Sequence, residues 1–366
     1  MYIHFIVGAR PNFVKISSLI HAIKNYNQEK TVNFKLIHTG QHYDYNMNTI
    51  FFKELGIPQP DYFLNCGGGS QTTQISKIML EYEKVLNVDL PQYCVVVGDV
   101  NSTVACAIVA KNFKIKVVHI EAGIRSGDTT MPEEVNRILT DSITDLFFTT
   151  TLKASNLLRN IGVESSKIHF VGNTMIDTLL RFKNDFRNPF ENTERTSITE
   201  DKFLVLTLHR PSNVDNLQWL KSCLLEILDS TKNVNILFPV HPRTRKNLEL
   251  TGIKSDRLIL LEPLGYFEFN FLVGNSIGVI TDSGGITEEA TVLKIPCITL
   301  RNSTERPETV TTGTNVLIGS NLTLLRKYLA KILNNNWKES DIPQYWDGKT
   351  GDRIINILLE DVHEKK

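Results

Sequence analysis

Short β-branched runs alternate with segments of helical period from one end of the chain to the other. That alternation specifies parallel sheets joined by crossover helices. In the first half the runs predict strands at Ile3–Val7, Phe34–Thr39, Cys94–Val97, Lys116–Ile120, Leu146–Thr149 and Ile168–Val171. In the second half they predict Phe203–Leu208, Asn235–Val240, Leu258–Leu261, Ile277–Thr281, Cys297–Leu300 and Asn315–Ile318. Helical periodicity fills the gaps, as at Val14–Lys24, Ser102–Lys111, Glu133–Asp141 and Leu217–Asp229. Between the halves, Phe182 to Lys202 is charged, lacks a hydrophobic period and reads as a linker or exposed connection. Asp352 to Val362 has the pattern of an amphipathic helix that packs back across the first domain. The expected architecture is α/β, with two Rossmann-like, doubly wound parallel-sheet domains over 1–172 and 173–346 and a terminal helical segment over 347–366.

The 366 residues suffice for two such domains. With 40 basic and 40 acidic residues, no net field recruits nucleic acid or an acidic membrane. No apolar run approaches the roughly 18 residues of a membrane span. The opening MYIHFIVGARPNF lacks a basic segment and turns at once into Gly8-Ala9-Arg10-Pro11, so it reads as a buried first strand rather than a signal peptide. The cysteines Cys66, Cys94, Cys106, Cys223 and Cys297 are scattered and form no CxxC pair, as expected of reduced thiols in a soluble cytoplasmic protein.

Polar and charged residues follow many of the strands. The first exits into Gly8-Ala9-Arg10, the second into Gly40-Gln41-His42, and others into Gly98-Asp99 and Glu121-Ala122-Gly123. In the second half the exits are His209-Arg210-Pro211, His241-Pro242-Arg243, Asp282-Ser283 and Arg301. Ligands of open parallel sheets bind at these carboxyl ends. Two such rims facing one another would form one crevice between the domains.

The corner at 281–308, TDSGGITEEATVLKIPCITLRNSTERPE, carries the clearest chemistry. A strand, the turn Asp282-Ser283-Gly284-Gly285 and a helix start place free backbone N–H groups and the positive end of a helix dipole together, which suits an anion. Glu288 and Glu289 lie about one turn further in, and Arg301, Glu305 and Arg306 reach the same rim, which points to a nucleotide-sugar diphosphate. Asp99, Glu121 and Glu133 are the candidate acid–base groups. Glu133 and Glu134 also suit a helix start behind Pro132. Successive helical residues diverge by about 100°, so only one of the pair can serve a given pocket. His209 is placed to donate to a phosphate oxygen, and Arg10 and Lys15 to neutralise one. No metal motif and no GxGxxG fingerprint follows any strand, so neither a metal nor a dinucleotide cofactor is expected. Gly67–Ser70 reads as a flexible loop, since no GK[ST] follows it.

In this order, GARPNFVK, TGQH, VVGDVNS, HIEAGIRSGD, PEEVNR, VGNTMID, TLHRPSN, TDSGGITEEA and RNSTERPE resemble the non-hydrolysing UDP-N-acetylglucosamine 2-epimerases. The resemblance implies a GT-B fold with an interdomain cleft, a homodimer, and interconversion of UDP-N-acetylglucosamine and UDP-N-acetylmannosamine without NAD or metal. It implies that Arg10, Lys15, Asp99, Glu121 and His209 meet the substrate and that Glu133 is a catalytic carboxylate. It sets Phe269 beside the uracil, Ser283, Gly284 and Gly285 under the diphosphate, Glu289 on the ribose hydroxyls and Arg306 on a phosphate. It further implies an activating second UDP-N-acetylglucosamine near Gln41, His42, Glu134, Arg210 and His241. An arginine that many relatives carry before their QT motif is replaced here by GGGSQTTQ, and this loop, with GARPNF, resembles relatives that act on modified sugars such as UDP-diacetamido-uronates. A GT-B glycosyltransferase is the rival of a different class, sharing the nucleotide site but having no use for three carboxylates around C2.

Overall fold

The computed structural model describes residues 1–26, 32–41, 52–191, 196–240 and 242–363. They form two compact units, Met1–Arg181 with Gln344–Lys366, and Phe182–Pro343.

The N-terminal unit has a seven-stranded sheet of β1 (Tyr2–Val7), β2 (Asn33–His38), β3 (Tyr62–Phe63), β4 (Tyr93–Val97), β5 (Lys116–Ile120), β6 (Leu146–Thr149) and β7 (Ile168–Phe170). Their order is β3-β2-β1-β4-β5-β6-β7, and all pairings are parallel. The second unit has six strands: β8 (Phe203–Thr207), β9 (Asn235–Pro239), β10 (Leu258–Leu261), β11 (Gly278–Thr281), β12 (Cys297–Thr299) and β13 (Asn315–Leu317). Their order, β10-β9-β8-β11-β12-β13, repeats the winding of the first sheet. Winding therefore reverses between β1 and β4 in one unit and between β8 and β11 in the other, which is where doubly wound sheets bind ligands.

Both faces of these sheets are covered, and side-chain alternation shows how. Leu204 and Leu206 of β8, Ile236 and Phe238 of β9 and Ile280 of β11 enter one apolar cluster. The intervening Phe203, Val205, Leu237 and Val279 enter the cluster on the opposite face. The middle positions of such strands are apolar on both faces, and that continuity made them readable in the sequence. β3 was not expected. Two residues offer no period, and only its register, Ile37 beside Tyr62 and His38 beside Phe63, makes it a strand.

The stretch read as an exposed connection is anchored where it is described. Phe182 and Phe186 pack on the Phe267 ring, with centroids 5.4 and 6.3 Å away, and Phe190 is buried in the second unit's core. These aromatics recur every four residues through a charged background, which hid them from a hydrophobic average. Gly67–Ser70 ends in a helix cap, with the Ser70 hydroxyl accepting from the Thr73 N–H at the start of helix Gln71–Leu86.

The expected terminal helix spans Thr350–His363 and lies on helix Arg10–Tyr26 within the N-terminal unit. Asp177 accepts from the Gly351 N–H at 2.7 Å and the Ser18 hydroxyl at 2.9 Å, so a carboxylate from another helix caps this one. At its far end, Asp361 takes bonds from Tyr93 and Lys116.

Candidate active site

In the N-terminal unit the strand exits of β1, β4 and β5 converge at the winding reversal. Asn12, at the start of the first helix, accepts from the N–H groups of Gly8 and Ala9 and donates to the Val97 carbonyl, tying the β1 exit to the β4 exit. Arg10 opens that helix and is half-buried. One turn on, Lys15 is buried and places Nζ 2.8 Å from Glu121 Oε2. Glu121 is itself 4 % exposed and lies at φ 69°, a left-handed conformation uncommon outside glycine. Gly98 closes the arrangement at φ 70°. A Cβ there would stand 3.4 Å from Lys15 Nζ and 3.5 Å from Glu121 Oε2, ordinary contact distances, so it is the backbone angle that calls for glycine.

Asp99 follows Gly98 and pairs with Arg137, whose other guanidinium nitrogen lies 3.1 Å from Glu134. Asn136 donates to the Asp99 carbonyl at 2.9 Å and to Asn101 at 3.2 Å. Asp99, Arg137 and Glu134 therefore form one charge network built from the β4 exit and helix Pro132–Ile143. The divergence expected of Glu133 and Glu134 is present: Glu133 is exposed and Glu134 is buried. Glu134 accepts from the N–H and hydroxyl of Ser126 and the N–H of Gly127. Burial alone would raise its pKa, but these bonds and Arg137 outweigh it and hold the carboxyl below the ordinary range.

Gln41 turns inward. Its side-chain oxygen accepts from the N–H and hydroxyl of Ser102, and its carbonyl accepts from Gln74, whose own side chain accepts from Asn101. His42 and His241 lie outside the described residues.

In the second unit the β8 and β11 exits meet across the equivalent reversal. Asp282 is fully buried and accepts from the backbone N–H groups of His209 and Arg210 and from the Asn213 amide. Its Oδ1 lies 2.7 Å from His209 Nδ1, while the His209 side chain remains 59 % exposed. Burial would raise the Asp282 carboxyl, but His209, Asn213 and the Arg210 amide hold it low. The ionised carboxylate thus fixes the imidazole with Nδ1 as donor and leaves Nε2 for other chemistry.

Beside it, helix Gly284–Val292 starts at Ser283, which forms no side-chain cap, and Ser283, Gly284 and Gly285 are half-exposed. Arg301 Nη1 stands 3.8 Å from where a Gly284 Cβ would lie, and its Nη2 pairs with Glu305 at 2.6 Å. Uncapped amides and a guanidinium together suit a phosphate. Both glutamates of this helix are buried. Glu288 holds Arg306 Nε at 2.7 Å. Burial pushes Glu289 up to about 7, with Glu288 adding to the rise and Tyr266 and Asn270 opposing it. Phe269, on helix Tyr266–Asn275, is half-buried against the core.

Sequence reading missed Asn12, Asn136 and Arg137, and it placed Asp282 at a strand exit without its role; all four orient the expected residues. Their motifs, GARPN, PEEVNR and TDSGG, contained them. What each one faces depends on the fold.

The UDP-N-acetylglucosamine 2-epimerase family model matches residues 24–359. The UDP-N-acetylglucosamine 2-epimerase of Methanocaldococcus jannaschii is 43 % identical over 98 % of this chain and 99 % of its own length. The chain belongs to the UDP-N-acetylglucosamine 2-epimerase family. It is accordingly an isomerase. The crystal structure of the M. jannaschii UDP-GlcNAc 2-epimerase in complex with UDP-GlcNAc and UDP superposes with a TM-score of 0.86 at 42 % identity, covering 98 % of this chain and 100 % of that one, and the fold is of GT-B type. A UDP-2,3-diacetamido-2,3-dideoxy-D-glucuronate 2-epimerase of Pseudomonas aeruginosa is 38 % identical over 98 % of this chain and all of its own. Among the described residues no helix is long and apolar enough to cross a membrane.

Proposed function

We propose that this chain interconverts UDP-N-acetylglucosamine and UDP-N-acetylmannosamine. The observation that carries the reading is the N-terminal half-site, where Glu121 pairs with buried Lys15 beside the Asp99–Arg137 pair at the winding reversal. The proton at C2 is not adjacent to a carbonyl, so direct abstraction would give an unstabilised carbanion. Departure of UDP first, or ahead of the proton, gives C1 oxocarbenium character and makes the C2 hydrogen acidic. Loss of that proton to a carboxylate gives 2-acetamidoglucal and free UDP. Re-addition of UDP, with C2 protonated on the other face, gives the epimer. Asp99, Glu121 and Glu133 are the candidates for these transfers. Arg10 and Lys15 supply cations for the departing diphosphate.

On the nucleotide side, Ser283, Gly284, Gly285, His209 and Arg306 would take the diphosphate, Glu289 the ribose hydroxyls and Phe269 the uracil. The reading extends to a second UDP-N-acetylglucosamine acting as activator near Gln41, His42, Glu134, Arg210 and His241, to a homodimer, and to a cytoplasmic role in surface polysaccharide precursor synthesis.

Incubation with UDP-N-acetylglucosamine in D2O, followed by proton NMR, tests the chemistry. Recovered UDP-sugars should carry deuterium at C2 with EDTA present and no added NAD. Turnover with protium retained at C2 would exclude the elimination route. A second substrate, a UDP-diacetamido-uronate, is favoured by the similarity to the P. aeruginosa protein and by GGGSQTTQ at Gly67–Gln74. The same exchange assay on that sugar, run in parallel, decides between them.

A further inference from the structure

Behind the acid-bearing turns lies a histidine that the proposed chemistry does not use. His119, on β5, is fully buried, with Nδ1 2.7 Å from Asp141 Oδ1 and Nε2 2.8 Å from the Gly98 carbonyl oxygen. A carbonyl only accepts, so Nε2 carries a hydrogen. Asp141 Oδ2 accepts from the Gly123 N–H at 3.0 Å and lies 2.7 Å from Arg125 Nη1. Burial would raise the Asp141 carboxyl, but His119 and Arg125 more than offset it and hold it below the ordinary range. Paired with the Arg125 guanidinium and bonded by the Gly123 N–H, the Asp141 carboxylate only accepts, so Nδ1 carries a hydrogen as well. A neutral ring would turn a lone pair toward either the carbonyl or the carboxylate, inside a pair whose side chains are 0 % and 1 % exposed.

We infer that His119 is a positioning residue, held as a buried imidazolium, that sets the two carboxylate-bearing turns of the N-terminal half-site; its catalytic consequence rests on the function proposed above. The geometry on either side shows how. Gly98 is fixed at both backbone groups by β5, its N–H donating to the Ile120 carbonyl at 3.0 Å and its carbonyl accepting from His119, which aims the following Asp99. On the other side Asp141 holds the Gly123 N–H, two residues beyond Glu121. Glu121, at φ 69°, is thus clamped between two points tied to one ion pair. Asp141 reaches the ring from helix Pro132–Ile143 and Arg125 reaches Asp141 from the loop after β5. With side chains 0 % and 1 % exposed, His119 and Asp141 do not themselves meet a ligand.

Histidine-ring ¹⁵N NMR on the full deuterated chain tests the charge. The His119 signals, assigned by their loss in His119→Gln, should show hydrogen on both ring nitrogens at neutral pH. A single ring N–H at neutral pH would overturn the inference, and this readout needs no activity. The positioning role is read in His119→Gln, which keeps one donor but loses the charge. Its kcat should fall on the order of 10- to 100-fold, the scale of a small misplacement of reacting groups. UDP affinity by calorimetry should stay within about threefold, because the residues proposed for the uracil and ribose, and most of those for the diphosphate, lie in the other unit. Unchanged kcat, or UDP affinity lost in step with kcat, would likewise overturn it. Wild-type protein that shows no C2 exchange on either UDP-sugar would count against the proposed function and leave the ring charge to be decided by the NMR measurement.

Discussion

Glu121 is held in a conformation it would not adopt alone. A non-glycine residue in the left-handed region costs on the order of 1 kcal/mol or more, and it persists where surrounding structure imposes it. Here the Lys15 ammonium 2.8 Å away and the ladder bonds on either side supply that constraint. Strain of this kind at a carboxylate beside a second carboxylate network fits a reacting group better than a surface charge. Asp99→Asn and Glu121→Gln should each lower kcat by about 10²-fold or more, the scale of a positioned acid or base, with near-UV circular dichroism unchanged. Either variant retaining wild-type kcat would remove that residue from the proposed chemistry. Glu289 offers a pH test in the other unit. Its folded pKa, about 7, lies above the ordinary 4.5, so the fold favours the neutral acid. The stability that preference contributes is complete below the unfolded value and is lost as pH rises through the folded one. Between those two values the ligand-free melting temperature should therefore fall more for wild type than for Glu289→Gln. Parallel profiles would show that Glu289 does not titrate as proposed.

Helix Pro132–Ile143 shows how one element divides its labour. Pro132 at the first turn, followed by two acids, is good helix-start chemistry, and sequence alone could assign both glutamates to that role. The fold separates them, turning Glu134 into the Ser126-Gly127 turn and Arg137 while Glu133 stays exposed. Glu133→Gln should then cost kcat about 10²-fold without altering stability. Glu134→Ala should instead destabilise the chain by about 3 kcal/mol, because it leaves Arg137 buried with one carboxylate fewer. Urea denaturation and steady-state kinetics on both variants separate these outcomes, and a fully active Glu133→Gln would reverse the assignment. At this scale the sequence was legible wherever one face or one run decided the answer, as for the parallel strands, the terminal helix and the 281–308 corner. Tertiary pairing was not legible. Nothing within PEEVNR says that Arg137 will meet Asp99, and nothing in TDSGG says that Asp282 will reach back 73 residues to His209. Gln41 sits at a strand exit as expected, yet its side chain caps Ser102, a partner that exists only once β2 and β4 lie on either side of β1.

At the scale of the whole molecule, the same winding order occurs twice, and each unit presents its candidate residues at the same reversal. Such repetition explains why loops from distant parts of the sequence carry comparable chemistry, with amides and cations in one unit and carboxylates with cations in the other. It leaves the surface to decide assembly. Helix Pro132–Ile143 exposes Val135, Ile138 and Leu139, at 41, 42 and 47 %, spaced so that they share one face. Leu80, on helix Gln71–Leu86 of the same unit, is 59 % exposed. An apolar stripe of this kind on a chain with balanced charge suits a second copy of the chain, since no net field opposes self-association. Light scattering at micromolar concentration should therefore give twice the 41.5 kDa chain mass. Leu139→Glu should shift that value to the monomer while leaving the melting temperature within a few degrees, because the side chain is not part of the core. Activity should fall with dimer content, since the same helix carries Glu133 and Glu134. A wild-type protein already monomeric under these conditions would rule out the homodimer and assign the stripe to another partner.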